Sequence, residues 1–88
     1  MKTREEIFNE VLVLYRGGKR YITIEITDKV ALFVDLSPFD AIIEGFVWNR
    51  ETEEEAETRK VAKTGEFEDD LYYLIDLLIE DAKVAQMV

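Results

Sequence analysis

Residues 21–36 read YITIEITDKVALFVDL, and apolar and polar side chains alternate through both halves. In an extended chain Ile22, Ile24 and Ile26 fall on one face and Tyr21, Thr23, Glu25 and Thr27 on the other. Beyond Asp28-Lys29 the alternation resumes, with Val30, Leu32, Val34 and Leu36 on one side and Ala31, Phe33 and Asp35 on the reverse. This predicts a β-hairpin with one buried face. The Asp28-Lys29 connection lacks the Gly that tight hairpins prefer, which leaves its turn type open. A lone hairpin is marginally stable in water, so the flanking segments must cover it.

On the N-terminal side, Ile7, Phe8, Val11, Leu12 and Tyr15 recur at helical spacing and predict a helix over 3–16. Thr3 and Glu6 form a capping-box pattern at its start, and Gly17-Gly18 supplies a stop. On the C-terminal side, Ser37-Pro38-Phe39-Asp40 reads as a turn followed by a third strand over about 41–49. A short helix ended by Gly45 is the alternative. Thr52-Glu53-Glu54-Glu55 is a second capping box, and Arg59, Lys60 and Lys63 suit the far end of a helix closed by Gly65. A strand over 58–64 pairing back onto 46–51 competes with that helix. From Glu66 a long helix runs to about Gln86, with Phe67, Leu71, Leu74, Leu78, Ala82 and Ala85 on one stripe. Ile75, Leu77, Ile79 and Val84 widen the stripe, which must be wrapped by the sheet and first helix or covered by a second copy. The assembled expectation is a single α+β domain over 1–88, a three-stranded antiparallel sheet packed with helices in the order α-β-β-β-α-α.

Composition narrows the chemistry. Eighty-eight residues with 48% apolar side chains suit one folded domain, in which only roughly 60% of the unfolded surface can be buried. Without Cys there is no disulfide, zinc ribbon or thiol nucleophile, and without His the usual general base is missing. Ser37 is the only Ser and cannot join a Ser-His-Asp triad. Glu66, Glu68, Asp69 and Asp70 could hold a divalent cation only if they converged, and near-consecutive helical positions radiate instead. No enzyme, cofactor or metal is expected. The polar N-terminus lacks a signal-peptide core, and the near-apolar run from Leu71 to Ile79 is short of the ~20 residues that span a bilayer, so the expected location is cytoplasmic.

Charge is distributed unevenly. Residues 1–34 carry six basic and five acidic side chains, a net of +1, and residues 35–88 carry five and fifteen, a net of −10, which together make −9. This balance disfavours direct nucleic-acid binding. The one basic cluster, Arg16-Gly17-Gly18-Lys19-Arg20, lacks phosphate-loop spacing and suits a helix C-terminus. On the last helix Asp69, Asp76 and Glu80 share a side at i, i+7 and i+11 with Tyr73 between them. Such a row can imitate nucleic-acid phosphates and attract the Lys and Arg of a nucleic-acid channel. A solvated helix face explains the same pattern. Tyr72 and Tyr73 cannot share a helix side, which makes Tyr73 the exposed ring, whereas Trp48 follows an apolar run and suits the core.

Trp48-Asn49, Glu53-Glu54-Glu55 and Glu68-Asp69-Asp70-Leu71-Tyr72-Tyr73, in a small acidic chain of this element order, resemble the DNA-mimicking, phage-encoded anti-CRISPR proteins. That resemblance implies an inhibitor whose carboxylates occupy the arginine pocket with which an RNA-guided nuclease reads its PAM. Glu53, Glu54, Glu55, Asp69 and Asp70 would then be contacts and Tyr73 an anchor. Arg59, Lys60 and Lys63 depart from a continuous acidic mimic. An antitoxin or immunity protein of a basic nuclease would use the same surface. A homodimeric assembly protein would instead pair through the helix from Leu71 to Ile79.

Overall fold

The computed structural model describes residues 1–86. The first helix, α1 (Arg4–Arg16), begins at the Thr3 capping box: Thr3 Oγ1 accepts from the Glu6 amide at 3.2 Å and Glu6 Oε1 accepts from the Thr3 amide at 3.0 Å. It buries Ile7, Val11 and Leu12. The predicted hairpin follows as β1 (Tyr21–Glu25) and β2 (Val30–Asp35), with Ile24 opposite Leu32. Its connection is longer than two residues. Thr27 Oγ1 accepts from the Lys29 and Val30 amides and so builds the turn without glycine.

The third strand, β3 (Ile42–Asn49), pairs antiparallel with β2. The competing short helix does not form. Gly45 belongs to the strand, where a Cβ would sit 2.5 Å from the Phe33 carbonyl oxygen, 3.0 Å from Leu78 Cδ1 and 3.1 Å from Val34 Cγ1. A glycine there lets the last helix approach β3 closely.

The helix expected over 52–64 is absent, and its place is taken by β4 (Glu54–Glu55) and β5 (Arg59–Ala62), both antiparallel to β3. The sequence order is therefore α-β-β-β-β-β-α, still α+β with an antiparallel sheet. The competing strand reading of 58–64 is the one realised, although it pairs with 42–45 and not with 46–51. Two local facts defeat the capping box. Asn49 Oδ1 accepts from the Glu51 and Thr52 amides, and Glu53 takes a left-handed φ of 61°, which turns the chain back along β3. The reward is tertiary: backbone groups on the free edge of β3 are paired, and Val61 is buried. Trp48 faces Glu55 and Gly45 faces Arg59, so three residues of the outer chain oppose two of β3. β4 and β5 are thus one edge strand interrupted by a bulge at 56–58.

The second helix, α2 (Phe67–Gln86), lies with α1 on the isoleucine face of the sheet. Leu71, Leu74, Ile75 and Leu78 are fully buried there with Ile7, Val11, Leu32, Ile43 and Val47. Most of the broad apolar stripe packs inside the chain, with Leu77 half-buried and Val84 exposed at its margins. Asn49, also buried, ties the far end of α2 to the sheet through Nδ2 donating to the Ala85 carbonyl at 3.0 Å. None of the helices is long and apolar enough to cross a membrane, among the described residues.

Candidate functional site

Because α2 buries one side against the sheet, its opposite side is fixed as a solvent face. Asp69, Tyr73 and Glu80 are exposed along it, and Tyr73 keeps 59% of its surface in solvent. Asp69 and Glu80 are eleven residues apart, about 16 Å along a helix axis. Tyr72, one position before Tyr73, packs inward against Phe8 at 5.3 Å between ring centres, accepts a hydrogen bond from Arg4 and donates one to Glu5. The split between the two tyrosines follows from helical geometry, as the spacing predicts.

Asp76 lies on the same side but is half-buried and held by Arg4 in an ion pair. The Tyr72 hydroxyl first, and Asp76 second, raise the Arg4 guanidinium above its ordinary pKa. Asp76 thus carries less of the outward field than its spacing suggests. Glu80 contacts only Lys83 on the same helix, at 3.3 Å, an exposed pair of small energy.

Asp70 is turned away from that face. Its side chain is buried, and it turns back to accept from the Thr64 amide at 2.9 Å and the Thr64 hydroxyl at 2.8 Å. It closes the loop between β5 and α2. The sequence grouped it with Asp69 because the two are adjacent, yet adjacent helical residues point about 100° apart.

Glu53, Glu54 and Glu55 are all exposed, but they do not join Asp69. Glu54 and Glu55 border a groove shared with Asp81, Val84 and Ala85, at the opposite end of α2. Asp81 is neutralised there by a two-pronged pair with Arg59, at 2.9 and 2.8 Å, which raises the Arg59 pKa mainly through that hydrogen bonding. Arg59, expected at a helix end, is instead the strand residue that clamps α2 to the sheet. The carboxylates singled out in the sequence therefore fall in two patches, one along the outer side of α2 and one at the β3–β4 turn. Seven of the twenty carboxylates enter ion pairs among the described residues, which leaves thirteen outside any such pair.

The reverse side of the sheet carries a surface that single-strand patterns do not reveal. Both helices pack on the other side, and the strand register sets the outward side chains in rows. Tyr21, Asp35, Glu44 and Lys60 make one row across β1, β2, β3 and β5. Thr23, Phe33 and Phe46 make the next, and Glu25, Ala31, Trp48 and Glu55 a third. Phe33 stacks on Phe46 at 4.9 Å and lies 6.1 Å from Trp48. Trp48 is accordingly half-buried on the outer side and not part of the core between sheet and helices. The available signal was the pair of aromatics Phe46 and Trp48, two apart on β3, in phase with Phe33 on β2.

The basic cluster after α1 is structural: Arg20 lies 4.2 Å over the Tyr15 ring and donates to the Tyr15 and Lys19 carbonyls. Among the described residues no three acidic side chains converge in a way that could hold a metal ion. Comparison with protein-family models, with curated proteins and with solved structures finds no match to this chain.

Proposed function

We propose that this chain is a non-catalytic inhibitor that docks on a basic nucleic-acid site of another protein through the outer side of α2. The observation that carries the reading is Tyr73, an aromatic ring left largely in solvent between the exposed carboxylates Asp69 and Glu80. Carboxylates draw the protein to a Lys- and Arg-lined channel, and an exposed aromatic supplies contact area once the surfaces meet. The net charge of −9 adds long-range steering toward such a channel. Glu53, Glu54 and Glu55 act as a separate patch at the end of the same helix, reaching past the primary contact. Asp76 positions Arg4 and Tyr72 beneath the contact face, and Asp70 serves the fold alone.

The anti-CRISPR resemblance gives the partner a specific form, an RNA-guided nuclease whose PAM-reading arginines lie in a cleft. An immunity protein facing a basic nuclease would use the same face, and either encounter takes place in the cytosol. The test is a paired variant, Asp69→Lys with Glu80→Lys, which touches no core residue. The fold should be retained and partner binding lost. Undiminished binding by the reversed protein would refute the α2 face as the contact.

A further inference from the structure

We infer that the open side of the sheet is a second interaction surface, built to receive an arginine side chain from a partner protein. Tyr21, Thr23, Phe33, Asp35, Glu44 and Phe46 surround a cleft of about 350 Å³ on this side. Asp35 and Glu44 are direct partners across β2 and β3, and like charges placed directly opposite oppose sheet formation. No ion pair relieves either of them among the described residues, and Lys60, beyond Glu44 in the same row, does not close on it. Asp35 uses one oxygen to accept from the Ser37 amide at 2.9 Å, which fixes its carboxylate at the mouth of the cleft. Beside the two carboxylates stands the stacked Phe33–Phe46 pair, and Tyr21, 75% exposed, lines the cleft next to Asp35, its register partner.

A cation entering this cleft would relieve the carboxylate repulsion and meet aromatic faces together. A guanidinium suits both, because it is planar, stacks on rings and bridges carboxylate oxygens. The chain already uses that chemistry internally, with Arg20 over Tyr15, Arg4 over Tyr72 beside Asp76, and Arg59 in its two-pronged contact with Asp81. Aromatic rings on an open sheet are also a platform for stacked bases. Here Asp35, Glu44 and Glu55 share the surface with the rings and would repel the phosphates of any bound strand. The occupant is therefore a protein segment presenting arginine. This side is opposite the outer face of α2, so this inference and the proposed docking face stand or fall separately.

The test is a two-dimensional NMR titration of the intact ¹⁵N-labelled protein with acetyl-Gly-Ser-Arg-Ser-Gly-amide. The controls are the same peptide with citrulline or with lysine in place of arginine. Saturable shifts confined to the amides of Tyr21, Phe33, Asp35, Glu44 and Phe46 are expected. The citrulline peptide should bind roughly 10-fold more weakly, since it keeps the shape but loses the charge-assisted bonds. Glu44→Gln and Tyr21→Ser should each weaken the arginine peptide several-fold with the spectrum otherwise native. Shifts absent from this side, or equal for the arginine and citrulline or lysine peptides, would overturn the assignment. Concentration-dependent shifts of the same amides without peptide would overturn it in favour of a second copy of the chain.

Discussion

Replacing Asp70 with Ala separates a residue that holds the fold from one that meets a partner. The substitution removes the acceptor of two hydrogen bonds, from the Thr64 amide at 2.9 Å and the Thr64 hydroxyl at 2.8 Å. A hydrogen bond to a charged group contributes about 1.5–3 kcal/mol. Thr64 itself is exposed, so water can take up its released donors, and the combined loss falls near the lower end, about 2 kcal/mol. In a domain of this size each kcal/mol moves the melting temperature by about 4–8 °C, which places the expected drop at about 8–16 °C. Thermal and urea unfolding followed by circular dichroism, on Asp70→Ala, Thr64→Val and the double variant, measures the coupling directly. Thr64→Val keeps the amide donor and should cost less than Asp70→Ala. The double variant should cost less than the sum. An Asp70→Ala protein that melts with the wild type but binds its partner more weakly would refute this reasoning and return Asp70 to the contact surface.

Gly45→Ala should destabilise by about 1–2 kcal/mol in chemical unfolding, because overpacking against the Phe33 carbonyl and Leu78 costs about 1–3 kcal/mol and exceeds the gain from a stiffer unfolded chain. A more stable Gly45→Ala protein would show that α2 does not press on β3 at that point. Hydrogen bonding from Arg50 holds the Glu25 carboxyl below its ordinary pKa, and the Thr3 amide does the same for Glu6. Their stabilisation is complete above the ordinary carboxylate range and disappears as pH falls through the depressed values. The stability gap between wild type and a Glu6→Gln/Glu25→Gln variant should accordingly narrow on acidification in thermal melts, and a gap that widens would contradict the assignment. Tyr73→Ala should leave unfolding curves within about 0.5 kcal/mol of wild type, as expected for an exposed site, while weakening partner binding in a titration.

The elements that were legible in the sequence are those whose periodicity and end signals agree. Thr3 and Glu6, the Ile22–Ile24–Ile26 alternation and the Leu71–Leu74–Leu78 stripe each specify an element that tertiary packing then reinforces. The failure at 52–64 arose where they conflict. A capping-box pattern at Thr52 had only Ala56, Val61 and Ala62 behind it, whereas pairing with β3 buried Val61 and let Arg59 reach Asp81. The outward side of α2 was readable because helical spacing alone fixes which residues share it. The burial of Asp70 was not, since it depends on a loop residue, Thr64, folding back onto the helix. The rows on the open sheet are a product of strand register, which one strand's pattern does not specify.

The central claim is that α2 presents carboxylates and Tyr73 to a surface that otherwise holds nucleic acid. The most direct measurement immobilises the protein beside its Asp69→Lys/Glu80→Lys variant, passes cell lysate over both, and elutes with double-stranded DNA before salt. The account predicts a basic nucleic-acid-handling protein that is retained by the wild type, missing from the variant, and released by DNA. An empty wild-type column, equal retention by both columns, or a retained protein that DNA fails to displace would contradict it.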